Sequence, residues 1–265
     1  MAEISTGDFE TIRIEQPAEY LGSVVLDRPD AMNSINERML DELDAAVDEL
    51  EADNEIRAVM LRGAGDDAFS AGADVQSSGA MDHRKGTEHS RRGKQVFGRF
   101  RETDLPVVAA IDGHCLGGGL ELSMCADLRV ASAGSEFGLP EHDLGLLPGW
   151  GGTQRLQRLI GESAAKQIVF TAERFSAEQM KRFGYLYEVY EDDFDERALD
   201  FAADIAAGPP IAQRYTKRAM REGFENIGAG LELESQAFGH LLDTKDLSAG
   251  ITAFVTGEDP EFEGE

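Results

Sequence analysis

Apolar and polar positions fall into short blocks along most of the chain, and each block has a readable period. Residues 22–27 (GSVVLD), 56–62 (IRAVMLR), 107–111 (VVAAI) and 128–131 (LRVA) are compact apolar runs of strand length. Arg28-Pro29-Asp30 marks a turn after the first of them. Ser34 and Glu37 have the spacing of a capping box, and Met39, Leu43, Val47 and Leu50 then recur at helical intervals. Residues 63–74 (GAGDDAFSAGAD) predict a loop. Strands that alternate with helices and turns at this pace predict a layered α/β fold. The periodicity admits either a doubly wound sheet or a spiral of strand-strand-helix turns.

Beyond residue 192 the strand signal fades. Helical patterns cover 195–207, 209–222, 229–242 and 247–256, and Pro209-Pro210 suits a first helical turn. This region has too little core of its own to stand alone, so it is expected to pack on the preceding domain, on a neighbouring subunit, or on both. The division is thus a core over 1–191 and a helical region over 192–265.

Composition narrows the class. With 42% hydrophobic residues and both signs of charge, the chain is globular and not disordered. No apolar run approaches a membrane span, and MAEISTGDFE lacks the features of a signal peptide, so a cytoplasmic protein is expected. Fifty-one acids against 25 bases give a net charge of −26. Such a field repels nucleic acid and anionic membranes. It also strains the compact state by self-repulsion, which salt screens over ~3 Å at 1 M. The excess therefore predicts a protein adapted to a salt-loaded cytoplasm.

Cys115 and Cys125 are too far apart for a CxxC site, and the five histidines show no HExxH spacing. Neither a metal nor a separate cofactor is expected. One stretch departs from the acidic average: Arg84, Lys85, Arg91, Arg92, Lys94, Arg99 and Arg101 oppose only Glu88. It reads equally as an electropositive rim that gathers an anionic ligand or as a helix that pairs with acidic surface. Arg214, Lys217, Arg218 and Arg221 form a second basic helix, for which the surface reading is preferred.

The candidate chemistry lies between residues 112 and 153. Gly117-Gly118-Gly119 opens a predicted helix, Glu121 follows within it, and Glu141 stands in a Gly/Pro-rich turn region. Two carboxylates in one partly dry pocket titrate as a pair and can hold a single proton near neutrality. Such a pair can bind water, deliver hydroxyl to an alkene carbon and protonate its neighbour. In Ser70-Ala71-Gly72-Ala73-Asp74 the small residues let backbone approach a ligand. If the Ala73 and Gly118 amides face each other they form an oxyanion hole, each donor worth about 3 kcal/mol. Asp74 can also cap a following helix. With 51 acids present, spacing alone leaves Glu121 and Glu141 as ordinary surface or helix-end charges.

The motifs RPDAMNSIN, FSAGAD, IDGHCLGGGLEL, CADLRVAS, FGLPEHDLGLLPGWGGTQRL and ITAFV, in that order, resemble the enoyl-CoA hydratase/isomerase (crotonase) family over residues 10 to 257. The resemblance implies a crotonase-like α/β spiral over 1–191, an oligomerisation region over 192–265, and a homotrimer or a dimer of trimers. It implies an acyl-CoA substrate, CoA being part of the substrate and not a cofactor. Its thioester oxygen would be held by Ala73 and Gly118. Glu121 and Glu141 match both hydratase glutamates, and Gly149 matches a glycine whose amide holds the catalytic water. Glu141 would protonate the α-carbon while Glu121 activates the water. The same motifs mark Arg28, Ala31, Met32, Ala71, Gly72, Asp74, Gly117, Trp150 and Phe254 for substrate or CoA contact; Trp150 can instead be core packing. Hydration of a 2-enoyl-CoA is thereby favoured over double-bond isomerisation, another acyl-CoA reaction of the family, or a binding role on the same fold.

Two positions depart from the family pattern. Asp30 stands where many members carry Lys, and Thr256-Gly257-Glu258-Asp259 replaces basic residues after the terminal motif. Both changes weaken attraction for polyanionic CoA, so the Arg84–Arg101 stretch or bound potassium is expected to compensate. The loop from Gly79 to Glu102 would line the acyl pocket by analogy.

Overall fold

The computed structural model describes residues 9–74 and 81–265. Two sheets run side by side through the core. The larger has the strand order β1-β2-β3-β5-β7-β10: β1 (Ile12–Ala18), β2 (Leu21–Leu26), β3 (Ala58–Gly63), β5 (Val107–Ile111), β7 (Leu128–Ser132) and β10 (Glu188–Tyr190). Only β1 and β2 pair antiparallel there. The smaller sheet has the order β4-β6-β8-β9: β4 (Ala68–Ser70), β6 (His114–Leu116), β8 (Glu136–Gly138) and β9 (Phe175–Ser176). Each successive strand pair, β3/β4, β5/β6 and β7/β8, gives one strand to each sheet. That settles the open choice in favour of the spiral.

The long strands are apolar throughout because both of their faces are buried. Val59, Leu61, Val107 and Ala109 point into the main core, and the alternate residues Ala58, Met60, Val108 and Ala110 point to the opposite side. There Ala198, Ala202 and Ala206, four apart on α7 (Phe194–Ala206), seat that helix on the sheet. On the main-core side α1 (Glu37–Ala52) buries Met39, Leu40, Leu43, Ala46, Val47 and Leu50. Its cap is Asn36, whose side chain accepts the Met39 amide at 2.8 Å, and not Ser34 as the sequence spacing suggests.

Helix α2 (His83–Glu102) stands where a loop over 79–102 was expected; residues 79 and 80 lie outside the described residues. It starts at Asp82, whose carboxylate accepts the Lys85 amide, and it buries Val96, Phe97 and Phe100. Its arginines face α1: Arg92 binds Asp41 and Asp44, and Arg99 binds Asp44 and Asp48. Those two cations serve as a clasp between helices, so the reading as acid-paired surface holds for them.

Short helices α3 (Gly118–Ser123), α4 (Gly152–Ile160), α5 (Glu162–Thr171) and α6 (Ala177–Arg182) complete the core. Then follow α8 (Pro210–Glu225), α9 (Ile227–Leu241) and α10 (Lys245–Thr256), each within a few residues of its sequence pattern. Lys217, 9% exposed, fixes α8 to the core by donating to the Phe100 and Leu105 carbonyls and pairing with Asp127. The opposite side of this region is apolar and exposed, with Met220, Phe224, Ile227, Leu231 and Phe238 around a groove of about 520 Å³. Among the described residues no helix is long and apolar enough to cross a membrane.

Candidate active site

The site forms where the strands of the smaller sheet end. Beyond β4 the chain runs through Ala71, Gly72 and Ala73; beyond β6 it turns through Gly117 into α3. These two turns press together. A Cβ on Gly72 would lie 3.1 Å from the Gly118 nitrogen, and one on Gly118 would lie 3.3 Å from the Ala73 nitrogen. Gly117 has φ +49°, a left-handed conformation that glycine adopts without strain. Among the described residues, neither the Ala73 nor the Gly118 amide donates a hydrogen bond. Gly118 is the first residue of its helix, where the N–H has no carbonyl behind it. Two free donors thus lie side by side, the arrangement the sequence motifs imply for a thioester oxygen.

The turn at residues 28–36 braces this loop from behind. Met32 accepts the Ala71 amide at 2.9 Å, and Ile35 bonds on either side of Ala73, to Gly72 and Asp74. Asn33, fully buried, donates to the Ala64 and Ala68 carbonyls. Arg28 donates to Asp74 and to the Ser34 carbonyl. Arg28, Ala31, Met32, Ala71, Gly72 and Asp74 are therefore brought together, with Arg28 and Asp74 engaged with each other. Residues 75–80, on which the helix that Asp74 was expected to cap would fall, lie outside the described residues.

Glu121 projects from α3 and is 2% exposed. Its Oε1 accepts the Trp150 amide at 2.8 Å and the Gly152 amide at 2.7 Å. Burial pushes its carboxyl up to about 8; the Glu141 charge pushes the same way, while the two amides and the Arg155 cation oppose it. Glu141 sits on the 3-10 turn Pro140–Leu144, against the other side of the glycine turn: a Cβ on Gly117 would lie 3.1 Å from its Oε1. Its buried Oε2 has no hydrogen-bond partner, and burial raises its carboxyl too. The two acids thus flank the paired amides, each disfavouring ionisation of the other.

Trp150, 3% exposed, packs edge-on to Phe97 at 5.3 Å. Side chains on Gly93 and Gly118 would overlap its ring. It is therefore core packing, placed directly behind the Gly118 amide, and its own amide serves Glu121. The Gly149 amide is free among the described residues, and its carbonyl accepts the Ser90 hydroxyl at 2.7 Å. Phe254 is not brought to the cleft: it stands 90% exposed on α10, and no described hydrogen bond or ring contact joins it to these residues. Sequence reasoning missed Ser90, Gly152 and Arg155. The last two lie inside the quoted GWGGTQRL run but carry no sign of their partners.

The sequence model for enoyl-CoA hydratase/isomerase matches residues 18–265. The chain belongs to that family. Among its relatives, the short-chain-enoyl-CoA hydratase of Clostridium acetobutylicum is 40% identical, over 88% of this chain and 90% of its own. The crotonyl-CoA hydratase of Syntrophomonas wolfei is 36% identical over 96% and 98%. The crystal structure of enoyl-CoA hydratase from Bacillus anthracis superposes with a TM-score of 0.91 at 34% identity, covering 97% of this chain and all of that one.

Proposed function

We propose that the protein is an enoyl-CoA hydratase acting on short 2-enoyl-CoA thioesters. The observation that carries this reading is the convergence of buried Glu121 and partly buried Glu141, both with carboxyls raised by desolvation, on one pair of free amides. The Ala73 and Gly118 amides receive the thioester oxygen as it gains enolate charge. Water lies between the acids and near the Gly149 amide. Glu121 takes a proton from it as hydroxide bonds to C3, and Glu141 gives its proton to C2. The pair ends with its one proton relocated, and its return through the next water restores the start. The reacting form has Glu121 ionised, its charge eased by the two amides on Oε1, and the proton on Glu141; below about pH 8, where the buried Glu121 carboxyl mostly keeps its own proton, that form is the minority.

Relatives named short-chain-enoyl-CoA and crotonyl-CoA hydratases support the short acyl group. The exposed apolar side of α8–α10 supports self-association through 192–265, as a trimer or a pair of trimers. The charge of −26 supports work in a salt-rich cytoplasm. No cofactor beyond the CoA of the substrate is required by this chemistry.

The test is hydration of crotonyl-CoA in molar KCl, followed as loss of conjugated thioester absorbance, for wild type and Glu141→Gln. Turnover that falls at least about 100-fold in the variant supports the reading. A folded wild type that leaves crotonyl-CoA untouched but equilibrates a 3-enoyl-CoA overturns it in favour of isomerisation.

A further inference from the structure

The loop that serves Glu121 is itself held from outside. Arg155, on the first turn of α4, donates from Nη1 to the Trp150 carbonyl at 2.8 Å and from Nη2 to the Lys94 carbonyl on α2 at 3.4 Å. Its backbone amide closes the same turn on the Gly151 carbonyl at 2.8 Å. Gly151 leaves room for this grip, since a Cβ there would overlap the guanidinium. The peptide whose carbonyl Arg155 fixes joins Trp150 to Gly151, between the two amides that bind Glu121 Oε1. Among the described residues Arg155 has no carboxylate partner in an ion pair. Arg92 and Arg99 on the neighbouring helix, by contrast, are each paired with aspartates.

We propose that Arg155 is a positioning residue for hydration: by fixing the Trp150 carbonyl it aims the Trp150 and Gly152 amides at Glu121, and its cation sets how readily that carboxylate takes a proton from water. The proposal rests on the hydratase reading above. A guanidinium suits the task because its planar fork reaches two carbonyls at once and stays charged at every working pH. The groups that face Glu121 are Glu141 from the 3-10 turn, Arg155 from α4, and the Cys125 thiol from its own helix end, which burial keeps neutral. Glu141 and Arg155 act in opposite directions, so removing Arg155 leaves only the like charge.

The experiment compares wild type, Arg155→Met and Arg155→Lys for crotonyl-CoA hydration across pH, with oligomer size and circular dichroism as folding checks. Arg155→Met is expected to lower kcat by about 10- to 100-fold, to leave KM within about threefold, and to move the acidic limb of the kcat profile to higher pH by about half a unit or more. Arg155→Lys keeps the charge but not the two-carbonyl grip, so it is expected to lose part of kcat while the limb stays near its wild-type position. An unchanged kcat in Arg155→Met overturns the proposal. So does a lower kcat with the wild-type pH profile, which marks a merely structural role. If Arg155→Met does not fold, the lysine variant decides: wild-type kcat in it overturns the proposal. An inactive wild type instead rejects the hydratase reading itself.

Discussion

Glu121→Gln should inactivate the protein and at the same time stabilise it, increasingly so as pH rises. Glutamine keeps an oxygen for the Trp150 and Gly152 amides, so the 2.8 and 2.7 Å hydrogen bonds survive. What it removes is an ionisable group in a place that resists ionisation. The folded chain holds the Glu121 proton up to about pH 8, against an ordinary 4.5 in the unfolded chain. Between those values the folded state carries the extra proton, and stability falls as pH rises. Above pH 8 the folded protein must bear the buried charge in full. A tenfold change in proton affinity is about 1.4 kcal/mol, which sets an upper limit of about 5 kcal/mol. Relaxation and water entry around a forced charge bring the working figure to roughly 2–3 kcal/mol.

For a chain of this size that is an apparent Tm gain of about 5–8 °C at pH 8.5. The stabilisation should shrink to about 0.4 kcal/mol or less near pH 4.5, where the folded carboxyl is neutral and the unfolded one only half ionised. The assay is thermal unfolding of wild type and variant at one protein concentration in molar KCl, from pH 4.5 to 9. The difference between the two proteins removes the effect of the carboxylates other than Glu141, whose titration is coupled to that of Glu121. Hydration of crotonyl-CoA should fall by about 10²- to 10⁴-fold in the same variant. A Tm difference that stays constant across the range would refute the account of a buried, proton-holding Glu121, whatever the kinetics show.

Other consequences follow from the same contacts. Gly93→Ala places a methyl on the Trp150 ring, and such overpacking costs about 1–3 kcal/mol; kcat should drop with it, measured beside the melting curve, because Trp150 carries an amide of the Glu121 cradle. Arg92→Glu breaks contacts to Asp41 and Asp44, so denaturant titration should show a loss of about 1–2 kcal/mol, while KM for crotonyl-CoA stays within about twofold. Raising KCl from 0.1 to about 2 M should raise Tm, since screening relieves self-repulsion at −26; a flat or falling Tm counts against salt adaptation. The KM for crotonyl-CoA should fall over the same range, because the repulsion of polyanionic CoA is screened as well.

What could be read from the sequence follows the physics of each element. Strands β3, β5 and β7 announce themselves because both faces are buried and the apolar run is continuous. Strands β4, β6 and β8 have three residues each and sit within the glycine-bearing motifs, so no period can develop. β1 is obscured by Pro17, which an edge strand tolerates. Helix α2 hides for the opposite reason: it is long, but its buried face is narrow and its exposed face is crowded with charge. Arg92 and Arg99 look like part of a ligand rim until α1 is laid beside them, since Asp41, Asp44 and Asp48 become their partners only in the folded chain.

The site divides along the same line. Motif order singles out Glu121 and Glu141 as candidates, but charge pattern does not, because nothing local separates them from the other acids. Their chemistry comes from three distant segments. The glycine turn at 117 brings Glu141 against α3, the 150–152 loop supplies two donors to one oxygen of Glu121, and Arg155 holds that loop. Each contact alone is an ordinary hydrogen bond or packing contact, worth about 1 kcal/mol. Together they enclose two acids so closely that ionising one raises the cost of ionising the other. A proton held in that way is available at neutral pH for transfer to carbon, which an exposed glutamate could not offer. The reactive property therefore belongs to the enclosure, and a substitution that opens it without touching either carboxylate should cost activity as surely as removing one.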